Sequence, residues 1–183
     1  MAGNNDTRWV WVDLEMTGLD PSTDVILQIA TIITDDELNE LEALDVVVWQ
    51  PEEALARMGP FVRNMHTDNG LLDRVRQSDT SLADAERKTM DLICRHVPFK
   101  KGVLAGNTIW QDRRFLERYM PHIENYLHYR QIDVSSLKVV CQTWMGSKGM
   151  APQKTATHTA LEDIRASIEE LKFYKENCLL PSS

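Results

Sequence analysis

Two carboxylates stand two residues apart in the stretch Trp9-Val10-Trp11-Val12-Asp13-Leu14-Glu15-Met16-Thr17-Gly18. Strand side chains repeat every second residue, so Val10, Val12 and Leu14 share one face while Trp9, Trp11, Asp13 and Glu15 share the other. Two like charges about 4 Å apart repel by roughly 4 kcal/mol at an effective dielectric near 20, so the pair is unfavourable unless something positive lies between them. A carboxylate cluster that gathers cations would supply that charge. Three further residues could join such a site: Asp112 in GNTIWQDRRF, and His158 and Asp163 in HTALEDIRASIEEL. Each also has an ordinary account. Asp13 and Glu15 fit a solvated strand end, Asp112 a first-turn acid facing the helix dipole, Asp163 the solvated rim of a helix, and His158 a cap or surface residue. Helical geometry only weakly prefers Asp163 over Glu162 as the inward acid.

A calcium loop is excluded. Asp13, Glu15, Thr17, Gly18 and Asp24 fall at loop positions one, three, five, six and twelve, but such a loop needs a preceding helix, and WVWV alternates as a strand does. Acidic Asp20 also occupies an inner position where an apolar residue is usual.

The elements that must position these groups follow from periodicity. After the first strand, VILQIATIIT (25–34) and LDVVVW (44–49) are rich in branched residues and predict a three-strand meander. Ser81 caps a helix in which Leu82, Ala85, Thr89, Leu92, Ile93 and Val97 recur at three and four, ended by Pro98. GVLAG (102–106) is a short buried strand. A helix runs from about Gln111 to Met120 and stops at Pro121, and Ser135 or Ser136 opens the next. Leu161, Ile164, Ile168 and Leu171 make the apolar stripe of a last helix, with Thr157 or Thr159 as its cap. The pattern predicts an α/β protein with a mixed sheet flanked by helices.

With 183 residues and no repeat or long linker, the chain reads as one domain able to support its own core. The three cysteines are odd in number and widely spaced, which argues against a disulfide framework or zinc knuckle and for a reducing compartment. The start MAGNNDTRW has no targeting pattern and no apolar run reaches spanning length, so the expectation is a cytoplasmic protein with no membrane partner. A formal charge of -8 counts against binding that depends on neutralising many phosphates of a long nucleic acid; short substrates stay open.

The order of the motifs is specific where the single residues are not. D-x-E on a first strand, N-x4-D at a helix start and H-x4-D near the last helix resemble the DEDDh family of 3' to 5' exonucleases. DLEMTGLD, His66-Thr67, QDRRFL with YMP, HYR with DVSSLK, and EDIRASIEEL extend the likeness over nearly the whole length, and within the family they resemble the oligoribonucleases.

The resemblance implies a ribonuclease H-like mixed five-stranded sheet, with residues 1–183 as a single exonuclease domain. It implies that Asp13, Glu15, Asp112 and Asp163 hold two divalent ions, Mg2+ or Mn2+, and that His158 is the general base. The implied substrate is single-stranded RNA of two to a few nucleotides, cut to nucleoside 5'-monophosphates. Leu19 would wedge near the bases and Phe61 stack on one, while His66, Thr108, Tyr129, Arg130 and Ser135 would form or border a 5'-phosphate pocket. Taken without the resemblance, Leu19 and Phe61 fit turn-flanking packing, and Tyr129 and Arg130 an exposed pair at a strand edge. Relatives commonly carry Trp in place of Phe61, Ser in place of Thr108, and something smaller or more polar than Trp110. The family also implies a homodimer in which His128 to Arg130 reach the partner's site. Competing readings are another DEDDh exonuclease, trimming tRNA ends or proofreading DNA, and a noncatalytic RNA-binding module on the same fold.

Overall fold

The structure, a computed structural model, describes residues 8–152 and 159–179. Its strands form one mixed sheet of five in the order β3-β2-β1-β4-β5. β1 (Trp9–Met16), β2 (Ile26–Thr34) and β3 (Glu40–Val47) make the antiparallel meander that the apolar runs predict. β4 (Val103–Gly106) and β5 (Gln131–Asp133) add in parallel on the other side of β1.

Every residue of β2 is buried, because helices cover both faces of the sheet at its centre. On one face α4 (Leu82–His96) and α5 (Ile109–Tyr119) pack Leu92, Ile93, Phe115 and Leu116 against Val10, Val12 and Leu14. On the other, α8 (Ala160–Tyr174) lays Ile164, Ile168 and Leu171 against Trp11 and Ile32. The alternation read from WVWVDLEM therefore holds residue by residue. Burying each large apolar side chain contributes about 1.5–3 kcal/mol, so the two half-cores hold the register of β1 firmly. A smaller cluster of Leu27, Leu55, Met58, Leu71, Leu72 and Val75 packs α1 (Glu52–Leu55), α2 (Pro60–Asp68) and α3 (Leu71–Gln77) beside the sheet. The sequence pattern did not predict these three helices.

Several boundaries differ from expectation for identifiable reasons. β3 begins at Glu40, ahead of its apolar run, because the Asp35 carboxylate accepts the Glu37 and Asn39 amides and closes a tight turn, so pairing starts at once. The acids this draws into the edge strand are ion-paired, Glu40 with Arg165 and Glu42 with Arg95. Trp49 leaves the sheet, its amide bonded to the Thr80 carbonyl. Pro121 ends α5 and also starts α6 (Pro121–Tyr126), where its missing N–H costs nothing. α7 (Val134–Met145) is capped by Asp133, whose carboxylate accepts the Ser135 amide at 2.9 Å, and not by either serine. Ser81 does cap α4, accepting the Asp84 amide. Thr159 occupies the N-cap position of α8 without a side-chain cap bond; Thr157 and His158 lie outside the described residues. Among the described residues no helix is long and apolar enough to cross a membrane.

Candidate active site

Asp13 and Glu15 leave β1 on the face that α8 covers, and Asp163 descends from the first turn of α8 to meet them. Carboxylate oxygens of the three lie within 4.8 Å of one another. Burial of Ile164, Ile168 and Leu171 sets the phase of α8, which leaves Asp163 facing Asp13 and Glu15 and leaves Glu162 exposed, where Arg165 holds it at 2.7 Å and reaches Glu40 of β3 at 3.1 Å.

Asp112 arrives from α5. β1 pairs with β4 only through Trp9–Trp11, so the Leu14 amide lies beyond the ladder, and the Asp112 carboxylate accepts it at 2.9 Å. Asp112 is outside the mutual trio, but its charge is felt at Glu15. His66 of α2 is fully buried; its Nε2 donates to the Met16 carbonyl at 2.9 Å, which leaves Nδ1 3.9 Å from Glu15. Burial holds the His66 pKa below its ordinary value, so the ring is neutral in this tautomer.

The acids oppose one another. Burial first, then the charges of Asp163 and Asp112, push the Glu15 pKa up to about 7. Burial also raises Asp112 to about 7, against the Leu14 hydrogen bond that lowers it. Oxygen-only donors converging with an excess of negative charge fit a hard divalent cation, which would cancel the repulsion that raises these values.

The other predicted residues fall in two places. Leu19 is 68% exposed on the turn after β1, and Phe61 is 80% exposed near the start of α2. The Leu19 turn is pinned by Gln111, whose amide donates to the Leu19 carbonyl, and by Tyr119, whose hydroxyl donates to the Asp24 carbonyl at 2.7 Å with the Pro21 carbonyl 3.0 Å away. Gly18 suits the turn because a Cβ there would meet the Asp24 carboxylate at 2.5 Å. Thr108 and Ser135 adjoin, their hydroxyls 3.1 Å apart, and the Asp133 carboxylate accepts both of their amides. Thr108 is held at φ 53°, a conformation costing about 1–2 kcal/mol for a residue with a Cβ. Trp110 is half exposed with the Arg114 guanidinium over its ring.

Tyr129 and Arg130 lie elsewhere. Gln131 is level with Leu104 and hence with Val10, so Arg130 precedes Asp13 by four residues, roughly 13 Å along the strand direction, and lies across two strand spacings. Arg113 pins this segment by donating to the Tyr129 carbonyl at 2.9 Å while paired with Glu124. Tyr129 is stacked on His128 and capped by Arg130, beside Lys100 and Lys101. Gln111, Arg113, Asp133 and Asn107 were missed as supports of the site, although GNTIWQDRRF and DVSSL contain all four.

A carboxylate trio at the end of a central strand, with a fourth acid fastened to that strand's free amide, defines a site of the acid-cluster, cation-binding class. Residues 10–171 match the exonuclease family RNase_T. The chain is 49% identical over 178 residues to the oligoribonuclease of Pseudomonas syringae pv. tomato, covering 97% of this chain and 99% of that one. It is 47% identical over 171 residues to the oligoribonuclease of Francisella tularensis subsp. tularensis, covering 93% and 95%. The chain belongs to the oligoribonuclease family of exonucleases. Among solved structures, exonuclease I of Methylocaldum szegediense superposes with a TM-score of 0.70 at 19% identity over 94% of this chain. E. coli exonuclease I with a 5cy-dT13 oligonucleotide superposes with a TM-score of 0.72 at 19% identity. This chain spans 41% of each of those chains, and the likeness shows the fold.

Proposed function

We propose that this chain is a 3' to 5' exoribonuclease that hydrolyses single-stranded RNA of two to a few nucleotides to nucleoside 5'-monophosphates. The observation that carries the reading is the convergence of Asp13, Glu15 and Asp163, with Asp112 anchored alongside, in a chain of this family. These four acids would hold two divalent ions, Mg2+ or Mn2+. Bound there, the ions supply Lewis-acid stabilisation at the scissile phosphate and lower the pKa of the attacking water.

The chain's own residues do the rest. His158, on the segment before α8, takes the proton from the attacking water; an imidazole of ordinary pKa about 6.5 is matched to that task. Neutral His66, its Nδ1 3.9 Å from Glu15, adds no charge to the site. Leu19 and Phe61 offer exposed apolar surface on which bases rest, at about 1–3 kcal/mol per stacked base. Thr108 and Ser135 present hydroxyls to the 5'-terminal phosphate.

Tyr129 and Arg130 belong to a neighbouring site. Their backbone is pinned, their side chains face water, and they stand at the far end of β4 from their own acids, so we assign them to the substrate of a second copy in a homodimer. We infer also that residues 1–183 form one exonuclease domain and that the protein works in the cytoplasm.

A length series of 5'-phosphorylated RNAs, with Mn2+ and with chelator, tests the reading. Fastest release of mononucleotide from the dinucleotide, abolished by chelator, is expected. Preference for long RNA or DNA would assign the chain to trimming or proofreading, and no release from any RNA would leave a binding module.

A further inference from the structure

The hydrogen bonds around Asn107 run in one direction, from the starts of α5 and α7 to α8. The Thr108 amide donates to Ser135 Oγ at 3.0 Å, and Ser135 Oγ donates to Asn107 Oδ1 at 3.1 Å. Asn107 Nδ2 donates to Ser167 Oγ at 2.7 Å and to Glu170 Oε2 at 3.3 Å. Ser167 Oγ donates in turn to the carbonyl of Asp163 at 2.8 Å. Glu170 is itself fixed by the Tyr174 hydroxyl at 2.8 Å and by Lys138 at 3.6 Å, so the α8 end of this chain of bonds is anchored.

We propose that Asn107 is a positioning residue that couples filling of the Thr108–Ser135 pocket by the substrate's terminal phosphate to the placement of Asp163. The inference rests on the exonuclease reading above. A serine hydroxyl has one proton, and Ser135 gives it to Asn107. To donate to a phosphate oxygen, Ser135 must release Asn107 Oδ1. The Asn107 amide, released from Ser135, keeps only its existing bonds to Ser167 and Glu170, so its position, and that of the Ser167 hydroxyl on the Asp163 carbonyl, is then set from the α8 side alone. A phosphate in the pocket thereby steadies an acid of the cation cluster, and the 5'-phosphate raises kcat as well as lowering KM. Groups that orient ligating side chains in this indirect way typically matter about 10- to 100-fold in metal affinity or activity.

The test compares wild type, Asn107→Ala, Ser167→Ala and the double variant on two diribonucleotides, one with a 5'-phosphate and one with a 5'-hydroxyl. Calorimetric titration of each metal-stripped protein with Mn2+ accompanies the kinetics. In wild type the 5'-phosphate should raise kcat. In Asn107→Ala that gain should shrink by about tenfold and the Mn2+ affinity fall by a similar factor, with Ser167→Ala smaller in the same direction. The double variant should be no worse than Asn107→Ala alone, because both cut one line of bonds. Ser167→Ala leaves the pocket and the acids intact, so it carries the test should Asn107→Ala fail to fold. A kcat ratio between the two substrates that is equal in all variants, or losses that multiply in the double variant, overturns the coupling. Absence of mononucleotide release by wild type from either substrate instead overturns the exonuclease reading, and the coupling with it.

Discussion

The two ends of β4 face opposite electrostatic problems. Beyond its C-terminal end, Asp13, Glu15 and Asp163 crowd together with Asp112 buried beside them, and burial with mutual repulsion drives Glu15 up to about 7. At its N-terminal end, Lys100, Lys101, His128 and Arg130 surround Tyr129 at the surface. Half-buried charges interact through a lowered effective dielectric, so the acids hold a repulsion that a cation or bound protons relieve. Exposed cations are screened within about 8–10 Å and act through reach and geometry. One end therefore gains stability from a bound cation or from protons, while the other costs the fold almost nothing and matters only when an anion arrives.

The largest effect should come from breaking the acidic end. Asp13→Asn should lower turnover of a dinucleotide by about 10³-fold or more, the scale of removing a principal electrostatic group. Metal-free melting should stay level or rise, since repulsion falls; a large loss of stability would show that Asp13 serves the fold.

Titration sharpens the same contrast. The folded metal-free protein binds protons at Glu15 and Asp112 more tightly than the unfolded chain, because both values are raised to about 7. That stability is fully present below the unfolded carboxylate range near pH 4 and is lost as pH rises through about 7. The melting temperature in chelator should drop by about 5–10 °C between pH 5 and 8, from a loss of about 2–4 kcal/mol. Glu15→Gln should flatten the profile and Mn2+ should restore the upper end. A metal-free profile that rises over this window contradicts the assignment.

What was legible in the sequence is what depends on near neighbours. The shared face of Asp13 and Glu15 follows from a period of two, and α4 from its Ser81 cap and Pro98. What was not legible is decided across long separations. Asp163 faces inward over Glu162 because α8 buries Ile164, Ile168 and Leu171 against β1 and β2, and Asp112 is held by an amide 98 residues away. β5 is only three residues long and takes its identity from β4, while α1 and α3 are too short for periodicity to register. Placing Arg130 far from its own acids needed the strand register; the resemblance supplied the residue but no distance.

Arg130 tests whether the basic end serves a second copy. Arg130→Ala should cut dinucleotide turnover by about 10- to 100-fold, the worth of charge-assisted hydrogen bonds. Mixed with Asp112→Asn protein, it should recover about a quarter of wild-type activity, because half of randomly reassociated dimers carry one intact composite site. No recovery, with exchange verified by native mass spectrometry, would return Arg130 to its own protomer.

The smallest effect should come from Lys100 and Lys101, which share the pocket with Arg130 but are exposed to water as point charges. Replacing either by Ala should lower kcat/KM for a 5'-phosphorylated dinucleotide by only about twofold to threefold at low salt. The deficit should vanish near 0.5 M salt, where the screening length falls to a few Å. The Asp13→Asn deficit should persist across the same range, because salt screens a half-buried cluster far less than an exposed rim. Steady-state kinetics over a salt series reads both, and a lysine effect that survives high salt would place its ammonium in direct, desolvated contact with the phosphate.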